Sequence, residues 1–221
     1  MTWADAWTGI IHGGSQMWKV NDMAAKSTAL DHIREHAIDV PSLNILCPLA
    51  GDDQFVQYAW SQGHKVTAID LVPAAVQEMR KQFSEDGWSK EEQDNGMVVW
   101  KHESGTATLY EGNVMTALPE LEQKFDAVYD KDSFGALDLN MRTDFCNRIA
   151  SYVKPVTGII YTEVKYKPGR TQGPPFHVEK EDLMLPGNFG TMFEHVASLG
   201  ELYKLSMPMQ QTGHILRRLA K

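Results

Sequence analysis

The spacing of apolar and polar positions changes period repeatedly along the chain. Thr2-Trp3-Ala4-Asp5 has the form of a helix start, and Trp3 and Trp7 then fall one helical turn apart. Asp22 to Ala37 carries Met23, Ser27, Leu30 and Ile33 at helical spacing, with Asn21 placed to cap it. Asn44-Ile45-Leu46-Cys47-Pro48-Leu49 is a short apolar run, which predicts a buried strand. Asp52 to Gln62 then predicts a helix closed by Gly63, Lys65 to Asp70 a second strand, and Pro73 to Phe83 a helix with proline in its first turn. Ser84 to Ser104 is polar and charged and reads as a surface insertion, with an edge strand at Met97 to Trp100. Thr106 to Glu111, Phe125 to Asp130 and Gly158 to Val164 predict further strands, and Met141 to Tyr152 a helix. Lys167 to Pro175 is a long loop and Glu179 to Leu185 a short helix, and two closing strands fall at His195 to Leu199 and His214 to Leu219.

Strand and helix alternate over the whole length, the pattern of a mostly parallel sheet covered by helices on both faces. Residues 1–221 are expected to form one domain, with residues 1–40 as a helical lid and 84–104 as the insertion. In such sheets ligands bind beyond the carboxyl ends of the strands, where strand order reverses. Residues just after each strand are therefore the candidates.

Composition narrows the partners. With 21 Lys+Arg against 29 Asp+Glu, a net charge of -8 argues against a nucleic-acid partner, since phosphate affinity needs clustered basic residues. Cys47 and Cys146 make no disulfide framework, and neither a leader sequence nor a membrane span is expected, so the expectation is a cytoplasmic monomer. The eight histidines have no ligand spacing, so no metal is expected.

Strand one is followed by Leu49-Ala50-Gly51-Asp52-Asp53, with one glycine and neither a three-glycine dinucleotide turn nor a phosphate-loop lysine. Strand two ends in Asp70, where a carboxylate can accept both hydroxyls of a ribose. Asn113 stands after strand three, in place for a base edge, and Asp130 ends strand four. A ligand with a ribose and a base but no diphosphate fits this set better than NAD, and S-adenosylmethionine is such a ligand. Its sulfonium is a cation, suited to aromatic and acidic surroundings that Trp3, Trp7 and Trp18 would supply from the lid.

Taken in order, these residues resemble the thiopurine S-methyltransferase family. Two tryptophans four apart match Trp3 and Trp7; Pro48-Leu49-Ala50-Gly51 resembles the family's Pro-Leu-Cys-Gly loop, and Gly63-His64-Lys65-Val66 its Gly-His-x-Val. Phe125-Asp126-Ala127-Val128-Tyr129-Asp130-Lys131 is similar to Phe-Asp-x-x-x-Asp-Arg, and Gly173-Pro174-Pro175-Phe176 to a Gly-Pro-Pro-aromatic loop. The resemblance implies a Rossmann-like class I methyltransferase with a mostly parallel seven-stranded sheet, using S-adenosylmethionine and releasing S-adenosylhomocysteine. Trp3, Trp7, Trp18, Leu49, Gly51, Asp70, Asn113, Val114, Asp130 and Lys131 would line its cofactor site, and Met17, Tyr166, Pro175 and Phe176 the acceptor pocket.

Two departures bear on the acceptor. Lys131 stands where the family has arginine, and Ser206 to Gln211 lacks the arginine of thiopurine-acting members. The expected acceptor is a soft nucleophile, the sulfur of a small thiol or of a thiopurine-like compound. Alternatives are a halide or thiocyanate, or a silent protein that only binds the cofactor. A thiolate needs no general base; His177 is the nearest candidate for one.

Overall fold

The structure is a computed structural model that describes residues 22–38, 40–84, 86–205 and 209–220. Helix α1 (Met23–His36) is capped by Asp22, not Asn21: the Asp22 carboxylate accepts the N–H groups of Ala24 and Ala25 at 2.9 and 3.4 Å. The helix thus starts one residue later than its pattern suggests, and Lys26 rather than Met23 joins Ala29, Leu30 and Ile33 on the buried face. The chain continues through β1 (Asn44–Pro48), α2 (Gln54–Ser61), β2 (Lys65–Asp70) and α3 (Pro73–Phe83). Gly63 closes the α2 turn at φ 88°, a left-handed conformation that glycine adopts without strain.

The polar stretch after α3 is not an excursion. Trp88–Glu92 (β3) and Val98–His102 (β4) form an antiparallel hairpin, and β4 pairs in turn with β5 (Ala107–Glu111). Met97 and Val99 are fully buried, whereas Ser89 to Glu92 point charge and hydroxyl outward along the exposed edge. Charged residues on an edge strand discourage pairing with other chains, and here they also hide the strand from a hydrophobic pattern.

Strands β6 (Ala127–Lys131), β7 (Ile159–Tyr166), β8 (Phe193–Lys204) and β9 (Gln210–Arg218) follow, with helices α4 (Ser133–Ala136), α5 (Arg142–Tyr152) and α6 (Lys180–Leu183) between them. The nine strands lie in the order β3-β4-β5-β2-β1-β6-β7-β9-β8. The expected seven are the run from β5 to β8, and the hairpin extends it by two. Pairings from β5 through β2, β1 and β6 to β7 are parallel, and β9 is antiparallel to both neighbours.

Alternate residues of each strand enter different cores. Ile45, Cys47, Ala127, Tyr129, Ile159 and Tyr161 pack with α1, α2 and α3, while Leu46, Val128 and Ile160 pack with Phe145, Cys146 and Ile149 of α5. Helices therefore cover both faces, and strand order reverses between β1 and β6. Among the described residues no helix is long and apolar enough to cross a membrane.

Candidate cofactor and acceptor site

The reversal at β1 and β6 opens a crevice above the carboxyl ends of the parallel strands. The turn after β1 is tight, with Leu49 at φ 44° and Gly51 at φ 58°. Asp70 fastens it to the end of β2: its Oδ2 accepts the Gly51 N–H at 2.7 Å, and its Oδ1 accepts the Val72 N–H at 2.9 Å. Burial raises the Asp70 pKa against the lowering effect of those two bonds. Each oxygen retains a lone pair, so the carboxylate can still accept hydroxyl donors.

Asp130 lies deeper. Its Oδ1 accepts the Ser133 N–H at 3.0 Å and its Oδ2 the Thr162 hydroxyl at 2.9 Å, and burial pushes its pKa up to about 6. The Ser133 hydroxyl donates to the Pro48 carbonyl at 3.0 Å, which ties α4 to the β1 turn. Asn113 is exposed and its Oδ1 accepts the Met115 N–H at 2.9 Å, which leaves its amide nitrogen available, and Val114 is buried beside it.

Lys131 belongs to a buried ionic network that the sequence did not disclose. Its Nζ lies 3.4 Å from Asp53 Oδ2, and Lys26 Nζ reaches the same oxygen at 2.7 Å. Asp53 also caps α2 through the Phe55 N–H at 2.8 Å. Burial opposes ionisation of Asp53, but the two ammonium groups outweigh it and hold the carboxyl below its ordinary range. Glu163 completes the network and accepts the hydroxyls of Tyr161 and Tyr203 at 2.9 and 2.8 Å; burial raises its pKa. The one sequence signal was a lysine at an inward-facing position of α1.

Tyr166, one of the residues expected to line an acceptor pocket, ends β7 with its ring 5.2 Å from that of His177. His177 accepts the Lys167 N–H on Nδ1 at 2.8 Å, and its Nε2 sits 3.0 Å from Glu179 Oε1. Both ring nitrogens are engaged, so the residue has no free nitrogen for proton abstraction. The loop that follows β7 folds back on the sheet. Lys167, buried, donates to the carbonyls of Gln172 and Pro175, and the Phe176 N–H bonds the Gly135 carbonyl at 2.7 Å. A Cβ on Gly173 would stand 2.5 Å from the Phe176 ring, so this close approach requires glycine. Lys167 as the loop's internal fastener was not singled out by sequence reasoning. Trp3, Trp7, Met17 and Trp18 lie outside the described residues, as do residues 206–208.

A family model described as thiopurine S-methyltransferase matches residues 3–211. The chain belongs to the thiopurine S-methyltransferase family. Relatives within it include the thiopurine S-methyltransferases of Methylococcus capsulatus, 27% identical over 62% of this chain and 60% of that protein, and of Gluconobacter oxydans, 28% identical over 65% and 64%. The chain thus spans about three fifths of the length of these curated relatives. Solved structures of similar fold include a Burkholderia thailandensis 1,6-didemethyltoxoflavin-N1-methyltransferase holding S-adenosylhomocysteine, with TM-score 0.67, 16% identity and coverage of 99% and 92% of the two chains. The cyclase SpnF is as similar, with TM-score 0.68, 13% identity and coverage of 99% and 94%. One architecture hosts both chemistries, so the site and not the fold must carry the functional argument.

Proposed function

We propose that this family member is an S-adenosylmethionine-dependent methyltransferase whose acceptor is the sulfur of a small thiol or thiopurine-like compound. The observation that carries the reading is Asp70, buried at the end of β2, clamped to the Gly51 turn at 2.7 Å and still able to accept two hydroxyls. Family membership over residues 3–211 supports it. The residues fit the cofactor: a carboxylate for the ribose, an available amide at Asn113 for the base, and no turn shaped for a diphosphate.

When bound, S-adenosylmethionine supplies an activated methyl group on a sulfonium. Asp70 would hold the ribose, and the turn of Leu49 and Gly51 would lie beside it. Asn113 and Val114 would face the base and Asp130 and Lys131 would close the floor at the end of β6; Trp3, Trp7 and Trp18, outside the described residues, are the aromatic residues that the family resemblance assigns to the cofactor. Tyr166, Pro175 and Phe176 would line the acceptor side, together with Met17 of the undescribed segment, as the family resemblance implies. With His177 engaged on both nitrogens, the chain contributes positioning and desolvation rather than proton removal.

The test is S-adenosylhomocysteine formation against iodide, thiocyanate, bisulfide, methanethiol, an aromatic thiol and a thiopurine. Turnover of the sulfur acceptors supports the reading. Turnover confined to iodide and thiocyanate would replace it with a halide methyltransferase, and cofactor binding without any turnover with a silent binder.

A further inference from the structure

Arg142, the first residue of α5, is 4% exposed, and its Nε and Nη2 have no hydrogen-bond partner among the described residues. A buried N–H without a partner is costly and calls for an explanation. Arg80, Arg148 and Arg218 each leave one buried nitrogen, Nε, without a partner, whereas Arg142 leaves two. Those two nitrogens form one edge of the guanidinium, the fork that meets the two oxygens of a carboxylate.

The guanidinium stands against Phe134 and near Phe176, a residue assigned above to the proposed acceptor pocket. The Arg142 Cζ lies 4.4 Å from the Phe134 ring and 5.6 Å from the Phe176 ring. Phe134 directly follows Ser133, which bonds Asp130 and the Pro48 carbonyl, so the ring against the guanidinium belongs to the residue next to the one that ties α4 to the β1 turn. The described anion whose field reaches Arg142 is Asp182, yet the Asp182 carboxylate accepts the Glu179 N–H at 2.8 Å and forms no hydrogen bond to the guanidinium. Of the two rings, Phe134 is fully buried, whereas Phe176 is only half-buried, beside exposed loop residues.

We propose that Arg142 is a specificity-determining residue whose Nε–Nη2 edge receives a carboxylate of the methyl acceptor when the Phe176 ring swings aside. The acceptor class is then a thiol that also carries a carboxylate. This rests on the methyltransferase reading of the crevice. A merely structural guanidinium, clamped between two rings, would instead serve stability and be indifferent to the acceptor's charge.

The experiment compares β-mercaptopropionate with its methyl ester, both as acceptors with S-adenosylmethionine and, as their S-methyl products, as ligands of the full chain saturated with S-adenosylhomocysteine. The wild type should bind the acid about tenfold or more tighter than the ester. Arg142→Met should bind both alike while melting no lower than wild type, and Arg142→Lys should restore little, because an ammonium lacks the fork. Equal binding of acid and ester by the wild type, or no binding of the acid, would overturn the proposal, as would a lowered melting temperature in Arg142→Met with the preference intact. Equal turnover of acid and ester leaves the methyltransferase reading standing and removes the role of Arg142. Arg142-dependent binding of the acid with no turnover of any thiol does the reverse.

Discussion

Lys26 and Lys131 share one oxygen: their ammonium groups approach Asp53 Oδ2 at 2.7 and 3.4 Å, from helix α1 and the end of strand β6. Asp53 sits two residues after Gly51, so this shared carboxylate fixes α1, the β1 turn and the floor of the crevice relative to one another. The side chains of Lys26 and Asp53 are 3% and 12% exposed, so water cannot replace the missing partner if one is removed.

Asp53→Ala is therefore expected to cost about 3–5 kcal/mol, because it strands buried ammonium groups. Lys81 and Glu78 are equally close at 2.7 Å, but both are 48% exposed, so Lys81→Ala should cost no more than about 0.5 kcal/mol. Urea unfolding of the two variants measures the contrast, and similar losses would contradict it. The Asp53 carboxyl is held below its unfolded value, so its contribution is complete above that value, about 3.9, and fades as pH falls further through the folded one.

His214 gives the opposite ionic case. Burial, with His195 Nε2 3.2 Å from its Nδ1, lowers its pKa to about 4. The unfolded chain takes up this proton below about 6.5, so stability should fall as pH drops from there to about 4, by up to roughly 3 kcal/mol. Asp130, raised to about 6, works in the opposite sense and offsets this slope from about pH 6 down to about 4. The difference between wild type and His214→Asn isolates the histidine: the variant's melting temperature should depend less on pH between about 6.5 and 4. Parallel profiles would refute the assignment.

Gly173→Ala places a Cβ 2.5 Å from the Phe176 ring, which must move. The expected result is a several-fold rise in KM for the acceptor with the Kd for S-adenosylmethionine unchanged, since the loop touches the acceptor side. Equal loss at both sites would show that the loop supports the cofactor as well.

What the sequence disclosed follows from physics. Strand β2 and helix α3 matched their expected limits because buried parallel strands are continuously apolar and a proline in the first turn fixes a helix start. Of the hairpin, β4 was legible as the strand expected at Met97 to Trp100, although it lies inside the sheet rather than at its edge; β3 was hidden, since an edge strand such as Trp88–Glu92 turns charge to solvent and reads as polar loop. The Lys26, Asp53 and Glu163 network was equally hidden. Its partners lie 27 or more positions apart, and a charged residue in sequence gives no sign that it is buried. The position of Asp70 at the end of β2 was legible; its bonds from the Gly51 and Val72 N–H groups, which give it a structural role beside the proposed one, were not.

That residue offers the most direct test of the cofactor reading. Calorimetric titration of S-adenosylmethionine should show one site per chain in the wild type, and Asp70→Asn should weaken it by about tenfold or more, since the ribose loses its charged acceptor. Absence of binding in the wild type, or equal affinity in a folded Asp70→Asn variant, would contradict the account.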